Sequence, residues 1–485
     1  LRLGGRNDKV FNYDMKNYLA LDLGAGSGRA IVGRIADGRI ETEEILRFEN
    51  TPVQLGNTIY WDFPALFNNI KKGIATAEKK GYVLNGIAVD TWGVDFGLLD
   101  SAGRLLSNPV TYRDARTAGM TEYISTEELY GATGIQTMEI NTVFQLLAMK
   151  RQGDPTLAIA DKLLFIPDLI NYFLTGGVAA NEYTIASTSQ LLDARTKQWD
   201  SRIFEKLGLP LGLMGRIVFP GEVIGNYGTA KVFAVGSHDT ASAIGAIPAQ
   251  GDDWAFLSSG TWSLLGVTTK EPVLSDETFT NEGGIDGDIL FMRNITGLWL
   301  LQQLIAEWGT TDSYDELLSA VAAVTPFQSI VDSDDPSFSN PAKMSDAIRD
   351  YCARTGQRIP QTKGEFVRCV LESLAMKYYF VMERLKKTAG RRVEKLYVVG
   401  GGGQNAMLNQ FTADVLNMEV VVGLTEATAI GNIMQQAIAD GVVRDWQAGH
   451  EIIRNSFNFE RFQPKEHDKW RSMIERTHLR HCEGY

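Results

Sequence analysis

The chain has 485 residues, 44% hydrophobic and 22% charged, with a formal net charge of −12; that length predicts two large domains with a ligand cleft between them, and the acidity argues against nucleic acid or an anionic membrane surface as partner. No run of about 18 apolar residues is present to span a bilayer. Three cysteines, Cys352, Cys369 and Cys482, are too few and odd in number for a disulfide framework, which favours free thiols and a cytoplasmic location.

Residues 1–17 have no apolar core of signal-peptide length and are expected to be an extension outside the fold. The fold then begins with Tyr18-Leu19-Ala20-Leu21, a strand ending at Asp22. Gly24-Ala25-Gly26-Ser27-Gly28-Arg29 follows as a turn into a second apolar run, Ala30 to Ile35, so the pair is predicted to form a hairpin. Such a turn offers backbone N–H groups to an anion such as phosphate, and Asp22 stands where a phosphate-bound Mg²⁺ would need a carboxylate or a water-holding partner. The chain has no G-x-x-x-x-G-K-[ST] segment, and this turn lacks G-x-G-x-x-G spacing, which disfavours a Walker or Rossmann nucleotide site.

Pro64 to Lys80 is predicted as a helix with Leu66, Phe67, Ile70 and Ile74 on one face and Gly81 as its stop. Gly86 to Asp90 is a strand leading into Thr91-Trp92-Gly93-Val94-Asp95, polar groups beside an aromatic that suit a polyol or, equally, an ordinary core. Phe96 to Leu99 is another strand. Arg113, Asp114 and Arg116 look like a solvated charge cluster, with Arg113 within reach of a cleft. Ile166 to Gly176 is a helix.

Val232 to Val235 is a buried strand, followed by Gly236-Ser237-His238-Asp239 and a small-residue helix. Asp239 there could act as a general base or simply cap the helix. A second domain is expected from about Pro248. Its first hairpin copies the one at the start of the chain: Trp254 to Leu257, the turn Ser258-Ser259-Gly260-Thr261-Trp262-Ser263, then Leu264 to Val267. Further helices are expected over Thr296 to Trp308 and Glu365 to Lys387, with Asp332 to Pro336 as a surface loop between them. Leu396 to Val399 runs into Gly400-Gly401-Gly402-Gly403-Gln404-Asn405, bare backbone suited to a flat ring or to a tight strand–helix turn. A terminal helix closes the chain. His478, His481 and Cys482 resemble a metal tract but fit a frayed terminus better.

Taken together, Asp22 to Arg29, Asp90 to Asp95, Gly236 to Ala243, Ser258 to Ser263, Asn294-Ile295-Thr296-Gly297-Leu298-Trp299-Leu300-Leu301-Gln302 and Gly400 to Asn405 resemble the FGGY carbohydrate kinases. These six blocks stand in the family's order, and the resemblance spans Tyr18 to about Gly441. It implies an α/β architecture of two duplicated ribonuclease-H-like, actin-like ATPase domains around a cleft, with 18–247 as the sugar-side domain and 248–485 as the nucleotide-side domain. It also implies ATP with Mg²⁺, a small sugar as acceptor, and a monomer or weak homodimer. The implied reaction is phosphorylation of L-rhamnulose at its 1-hydroxyl, with fuculose, xylulose or a non-catalytic sensor as alternatives.

Matched position by position, Asp239 is the implied base, and Gly93, His238, Asp239, Thr240 and Asn294 are the implied sugar contacts. Ala25, Gly26, Ser27, Gly28, Arg29, Thr261, Gln302 and Gly401 are the implied ATP contacts, with Asp22 on the metal side. Relatives more often carry Ser at the position of Gly26, so one hydroxyl contact to phosphate is absent here while the backbone donors remain.

Overall fold

The computed structural model describes residues 16–276, 278–309 and 314–477. Residues 1–15, most of the expected extension, and His478, His481 and Cys482 lie outside the described residues. Lys16 and Asn17, expected to belong to the extension, instead form the start of the first strand, paired with Ile35 and Arg34.

The first sheet comprises β1 (Lys16–Leu23), β2 (Ser27–Ala36), β3 (Arg39–Glu49), β4 (Leu84–Thr91), β5 (Val223–Tyr227) and β6 (Ala230–Phe233), in the order β5-β6-β4-β1-β2-β3. The second comprises β7 (Trp254–Ser259), β8 (Trp262–Thr269), β9 (Thr280–Gly283), β10 (Ile289–Thr296), β11 (Lys395–Val399), β12 (Glu419–Val422) and β13 (Glu460–Phe462), in the order β9-β10-β8-β7-β11-β12-β13. Within each sheet an antiparallel set, β3-β2-β1 or β10-β8-β7, continues into parallel strands, β4-β6 or β11-β12. The two halves are therefore one topology used twice, and the two glycine-serine turns occupy equivalent places in it. Tyr18 to Leu23 are buried without alternation, as a central strand covered on both faces requires.

The helices that matter to the cleft are α1 (Phe63–Lys79), α2 (Asp239–Gly245), α3 (Trp299–Trp308), α4 (Lys363–Ala389) and α5 (Ala427–Ala439). In α1 the Asp62 side chain accepts the Ala65 N–H, and Leu66, Ile70 and Ile74 turn inward, so helical period and cap act together. A Thr362–Glu365 capping box starts α4 and Gly390 in the left-handed region ends it, slightly beyond the predicted limits at both ends.

Two expectations fail in this region. The helix expected from Thr296 starts at Trp299, because Ile289 to Thr296 is held as a strand on β8, with Thr296 opposite Trp262. Gly297 then makes the turn, where a Cβ would come within 2.5 Å of Ser263 Oγ. The Asp332 to Pro336 segment is tied inward: the buried Lys377 Nζ reaches Asp332 Oδ1 and Asp334 Oδ2, each at 2.9 Å.

The halves are joined by a core to which both contribute, including Tyr18, Ala20, Ile31, Ala241 and Ile244 from one and Phe256, Ile430 and Ile433 from the other. At its centre α2 and α5 cross so closely that a Cβ on Gly431 would sit 1.9 Å from Ser242 O. The small residues of α2 exist for this crossing. Below it, α5 sends Asn432 Nδ2 to Asp90 Oδ2 at 2.6 Å and Gln436 Nε2 to Leu19 O at 3.1 Å. Because the obstacle at Gly431 is backbone, Gly431→Ala is expected to destabilise the protein by about 1–3 kcal/mol through overpacking, read as a lower thermal midpoint. An unchanged midpoint would contradict this account of the crossing.

Candidate active site

Parallel pairing brings carboxylates to one edge of the first sheet. Asp22, near the end of β1, lies in register with Asp90 near the end of β4, and the Thr91 N–H donates to Ser237 O at 2.8 Å, placing the His238-Asp239 turn alongside. Burial raises the Asp22 carboxyl to about 6; Arg29 pulls it down, while Asp239 and Glu426 push it up. Burial, then Asp22, hold Asp90 well above the ordinary carboxylate range despite the Asn432 hydrogen bond. Asp90 Oδ1 is buried with no hydrogen-bond partner among the described residues.

Crowded, under-compensated carboxylates of this kind favour a cation. Among the described residues no group of three or more His, Cys, Asp or Glu side chains is arranged to ligate a metal directly. Asp22 and Asp90 side by side could hold a divalent ion through water, the way Mg²⁺ is bound beside phosphates.

Asp239 is not the cap of α2. The N-cap residue is His238, with no side-chain cap bond, and Asp239 is the first helical residue. Its carboxylate accepts the Thr240 hydroxyl at 3.2 Å and lies 3.6 Å from His238 Nε2, with the side chain 36% exposed to the cleft. The turn beneath it is fixed by two groups that no motif had pointed to. Buried Glu182 Oε2 accepts the Ser237 N–H at 3.2 Å, and Thr184 Oγ1 accepts the His238 N–H at 3.1 Å. From the other half of the chain, Glu282 Oε2 lies 3.0 Å from His238 Nδ1. Burial alone would lower the His238 pKa, but Glu282, Asp239 and Glu182 outweigh it and hold the imidazole above its ordinary value.

The Asp90 to Asp95 block divides its work. Trp92 and Gly93 face the cleft; Asp95 lies behind them and is no sugar ligand. It accepts Trp61 Nε1 at 2.7 Å, Trp92 Nε1 at 3.0 Å, Gln145 Nε2 at 3.0 Å and the Tyr112 N–H at 3.1 Å. Those bonds lock the Trp61–Trp92 pair, whose ring centroids are 4.3 Å apart. Val94 takes φ of 67°, a genuine outlier for a β-branched residue, held by Thr188 Oγ1 on its N–H and Thr142 Oγ1 on its carbonyl. Gly93 is required partly by this packing, since a Cβ would approach Thr188 at 3.1 Å. The Arg113 to Arg116 cluster is not fully solvated: Asp114 is buried on the Ile59 N–H and Arg116 donates to Gln145, leaving only Arg113 at the cleft.

The cleft between the halves encloses about 570 Å³. It brings together Ala25, Gly26, Gly93, His238, Asp239, Thr240, Thr261, Asn294 and Gly401. At Gly26 and Gly401 a Cβ would meet nothing within 4 Å, so both backbones face open space where a ligand could approach. Both turns are closed by a backbone bond from a glycine, Gly24 N–H to Ser27 O and Gly260 N–H to Trp262 O, each at 2.8 Å, the first turn being one residue longer than the second.

Four expected nucleotide contacts do not line the cleft. Gly28 is explained by packing, as a Cβ would fall 2.3 Å from the Phe48 ring, and Ser27 opens β2 paired with Glu49. Arg29 instead bridges Asp22, at 2.5 Å, and Glu426 at the start of α5. Gln302 stands one step back, its Oε1 accepting the Thr261 hydroxyl at 3.0 Å. The exposed Trp262 and the Glu282 carboxylate are additions to the wall.

Buried carboxyls around this site set a pH dependence. Burial pushes Glu182 up to about 7 and Asp95 up to about 6, and burial with the Glu182 charge holds Asp168 well above its ordinary range. Each binds its proton more tightly folded than unfolded, so the thermal midpoint of the ligand-free protein should fall as pH rises from about 5 to about 7. A midpoint that climbs over that interval would be inconsistent with these shifts.

The FGGY family of carbohydrate kinases, N-terminal domain, matches residues 17–250, and its C-terminal domain matches residues 255–439. The rhamnulokinase of Bacteroides thetaiotaomicron is 44% identical over 96% of this chain and 99% of its own length. That of Enterococcus faecalis is 41% identical over 93% of this chain and 94% of its own. Among solved structures, a gluconate kinase from Lactobacillus acidophilus superposes with a TM-score of 0.79 at 16% identity, covering 95% of this chain and 96% of that one. The Plasmodium falciparum glycerol kinase with ADP gives 0.78 at 18% identity, covering 96% and 98%. These distant likenesses establish the actin-like two-domain fold. Duplicated sheets, paired glycine-serine turns, a carboxylate at the mouth of α2 and both family matches agree that this chain belongs to the FGGY carbohydrate kinases.

Proposed function

We propose that the protein transfers the γ-phosphoryl group of ATP to the 1-hydroxyl of L-rhamnulose, with Asp239 as general base. The observation that carries this reading is Asp239 itself, a carboxylate free of any capping duty and open to a cleft that both glycine-serine turns also line. In the reaction the sugar oxygen bonds to the γ-phosphorus as the bond to the β–γ bridging oxygen breaks. The hydroxyl proton passes to the Asp239 carboxylate, and ADP and the sugar 1-phosphate leave. Such transfers need positioning and charge neutralisation more than covalent help.

Backbone donors of the Ala25-Gly26 and Gly260-Thr261 turns would hold the phosphates, with Gly401 giving the nucleotide an open approach. Asp22 and Asp90 would hold Mg²⁺ through water, supplying charge neutralisation at the β- and γ-phosphates. His238, Thr240 and Asn294 offer hydrogen-bonding groups to the sugar, while Ile135, Met138, Ile140 and Leu264 form an apolar stretch of the same cleft that suits the methyl end of a 6-deoxyketose. The rhamnulokinases at 41–44% identity support that acceptor over other sugars.

Asp239→Asn is expected to keep sugar and ATP binding within about an order of magnitude while turnover falls roughly 10²-fold or more, the usual worth of a general base. Near-normal turnover would remove Asp239 from the chemistry. A site built to pair hydroxyls rejects wrong stereoisomers because its own polar groups are left unpaired, so rhamnulose should exceed fuculose, xylulose and glycerol in kcat/KM by roughly tenfold or more. Equal or better use of any of those three, measured by ADP release, would overturn the choice of sugar and leave the kinase assignment intact.

A further inference from the structure

We propose that Glu282 is a positioning residue of the sugar site, acting across the domain boundary through His238 Nδ1 to turn the opposite ring nitrogen toward Asp239 and the sugar. Glu282 Oε2 and His238 Nδ1 are 3.0 Å apart and both residues are buried; the contact is at ion-pair distance without hydrogen-bond alignment, and neither atom has a hydrogen-bond partner among the described residues. The contact leaves Nε2 as the ring atom nearer Asp239, at 3.6 Å. An imidazole presents one nitrogen according to what engages the other, so a carboxylate on Nδ1 selects the form with a proton there. Of the two carboxylates within ion-pair distance of the ring, Glu282 faces Nδ1 and Asp239 faces Nε2; Glu182 acts from behind, through the backbone of Ser237.

The strand that carries Glu282 is built for this duty. By sequence β9 belongs to the second half, yet it is fastened to the first. The Asn281 N–H and Nδ2 both donate to Gly134 O at 2.9 Å, and the Gly283 N–H donates to Ser187 Oγ at 2.8 Å. Tyr183 covers Gly283 so closely that a Cβ there would lie 2.6 Å from its ring, and Tyr130 OH donates to Asp276 O at 2.7 Å just upstream. The Glu282 backbone is thereby held on both sides within β9, which fixes where its side chain starts relative to His238. Gly134, Asn281, Gly283 and Tyr183 form a frame around a single ion pair.

This inference rests on the sugar-kinase reading of the same cleft, but its test does not depend on which ketose is used. Glu282→Ala should raise the sugar KM by about tenfold while the ATP KM stays within about threefold, and Glu282→Gln, which keeps an acceptor of the same length, should recover most of the loss. In a His238→Ala background the Glu282→Ala penalty should shrink to within about twofold, the mark of two residues that act as one unit. A full, additive penalty in that background would mean that Glu282 contacts the sugar itself and would overturn the proposal. A readout free of turnover is the nitrogen spectrum of ¹⁵N-histidine-labelled protein, with His238 assigned by its loss in His238→Ala. Nδ1 of His238 should carry a proton in the wild type and lose that preference in Glu282→Ala; an Nε2–H neutral ring in the wild type would refute the mechanism even if every variant folded poorly.

Discussion

The structure depends on the crowding of carboxylates at the ends of neighbouring strands. Parallel pairing of β1 with β4 makes Asp22 and Asp90 neighbours, and the bridge from Thr91 to His238 adds Asp239 to the same edge. Buried negative charges repel, and the cost rises steeply with desolvation. The chain answers with Arg29 on Asp22 and with Asn432 on Asp90, and both answers involve the second half, since Arg29 also holds Glu426. Acidic crowding and domain joining are thus one problem. The α2–α5 crossing at Gly431 and Ser242 brings Asn432 within reach of Asp90, which links close backbone packing to the electrostatics of the cleft.

The two ends of the cleft are built differently. Beside Asp239, β9 is tied to the first half by backbone and side-chain hydrogen bonds, and Glu282 meets His238 across the boundary. Asp95, with four donors on its carboxylate, freezes the tryptophan wall. Elsewhere in the cleft the first glycine-serine turn and the loop after β11 present backbone with open space before Gly26 and Gly401. Under the proposed reaction, a firmly held pocket around Asp239 would orient the acceptor hydroxyl before phosphoryl transfer, and orientation is the larger part of what a protein contributes to this chemistry.

Much of this was legible in the sequence because local rules and tertiary structure agree there. Both hairpins stood out as apolar runs around Gly-Ser turns, and α1 announced itself through period and proline. Asp239 was legible as a carboxylate after a buried strand, although its capping role could be dismissed only once His238 was found in the cap position. Where the reading failed, a distant partner decided the outcome. Thr296 follows its ladder on β8 instead of starting a helix, and the Asp332 to Pro336 segment turns inward because Lys377 lies beneath it. Arg29 serves the domain junction, and Gly28 accommodates Phe48. Glu282, Glu182 and Asn432 carried no local signal strong enough to nominate them, beyond an acid set in a run of small and polar residues at Asn281-Glu282-Gly283-Gly284.

The central claim is that one cleft joins a base, a sugar pocket and two phosphate cradles for transfer to a sugar hydroxyl and not to water. The most direct measurement is the phosphorus spectrum of a reaction containing the protein, Mg²⁺, ATP and L-rhamnulose. The account predicts one new sugar phosphomonoester for each ADP formed, with inorganic phosphate at background. Release of ADP with inorganic phosphate alone, or no turnover of any ketose offered, would contradict it.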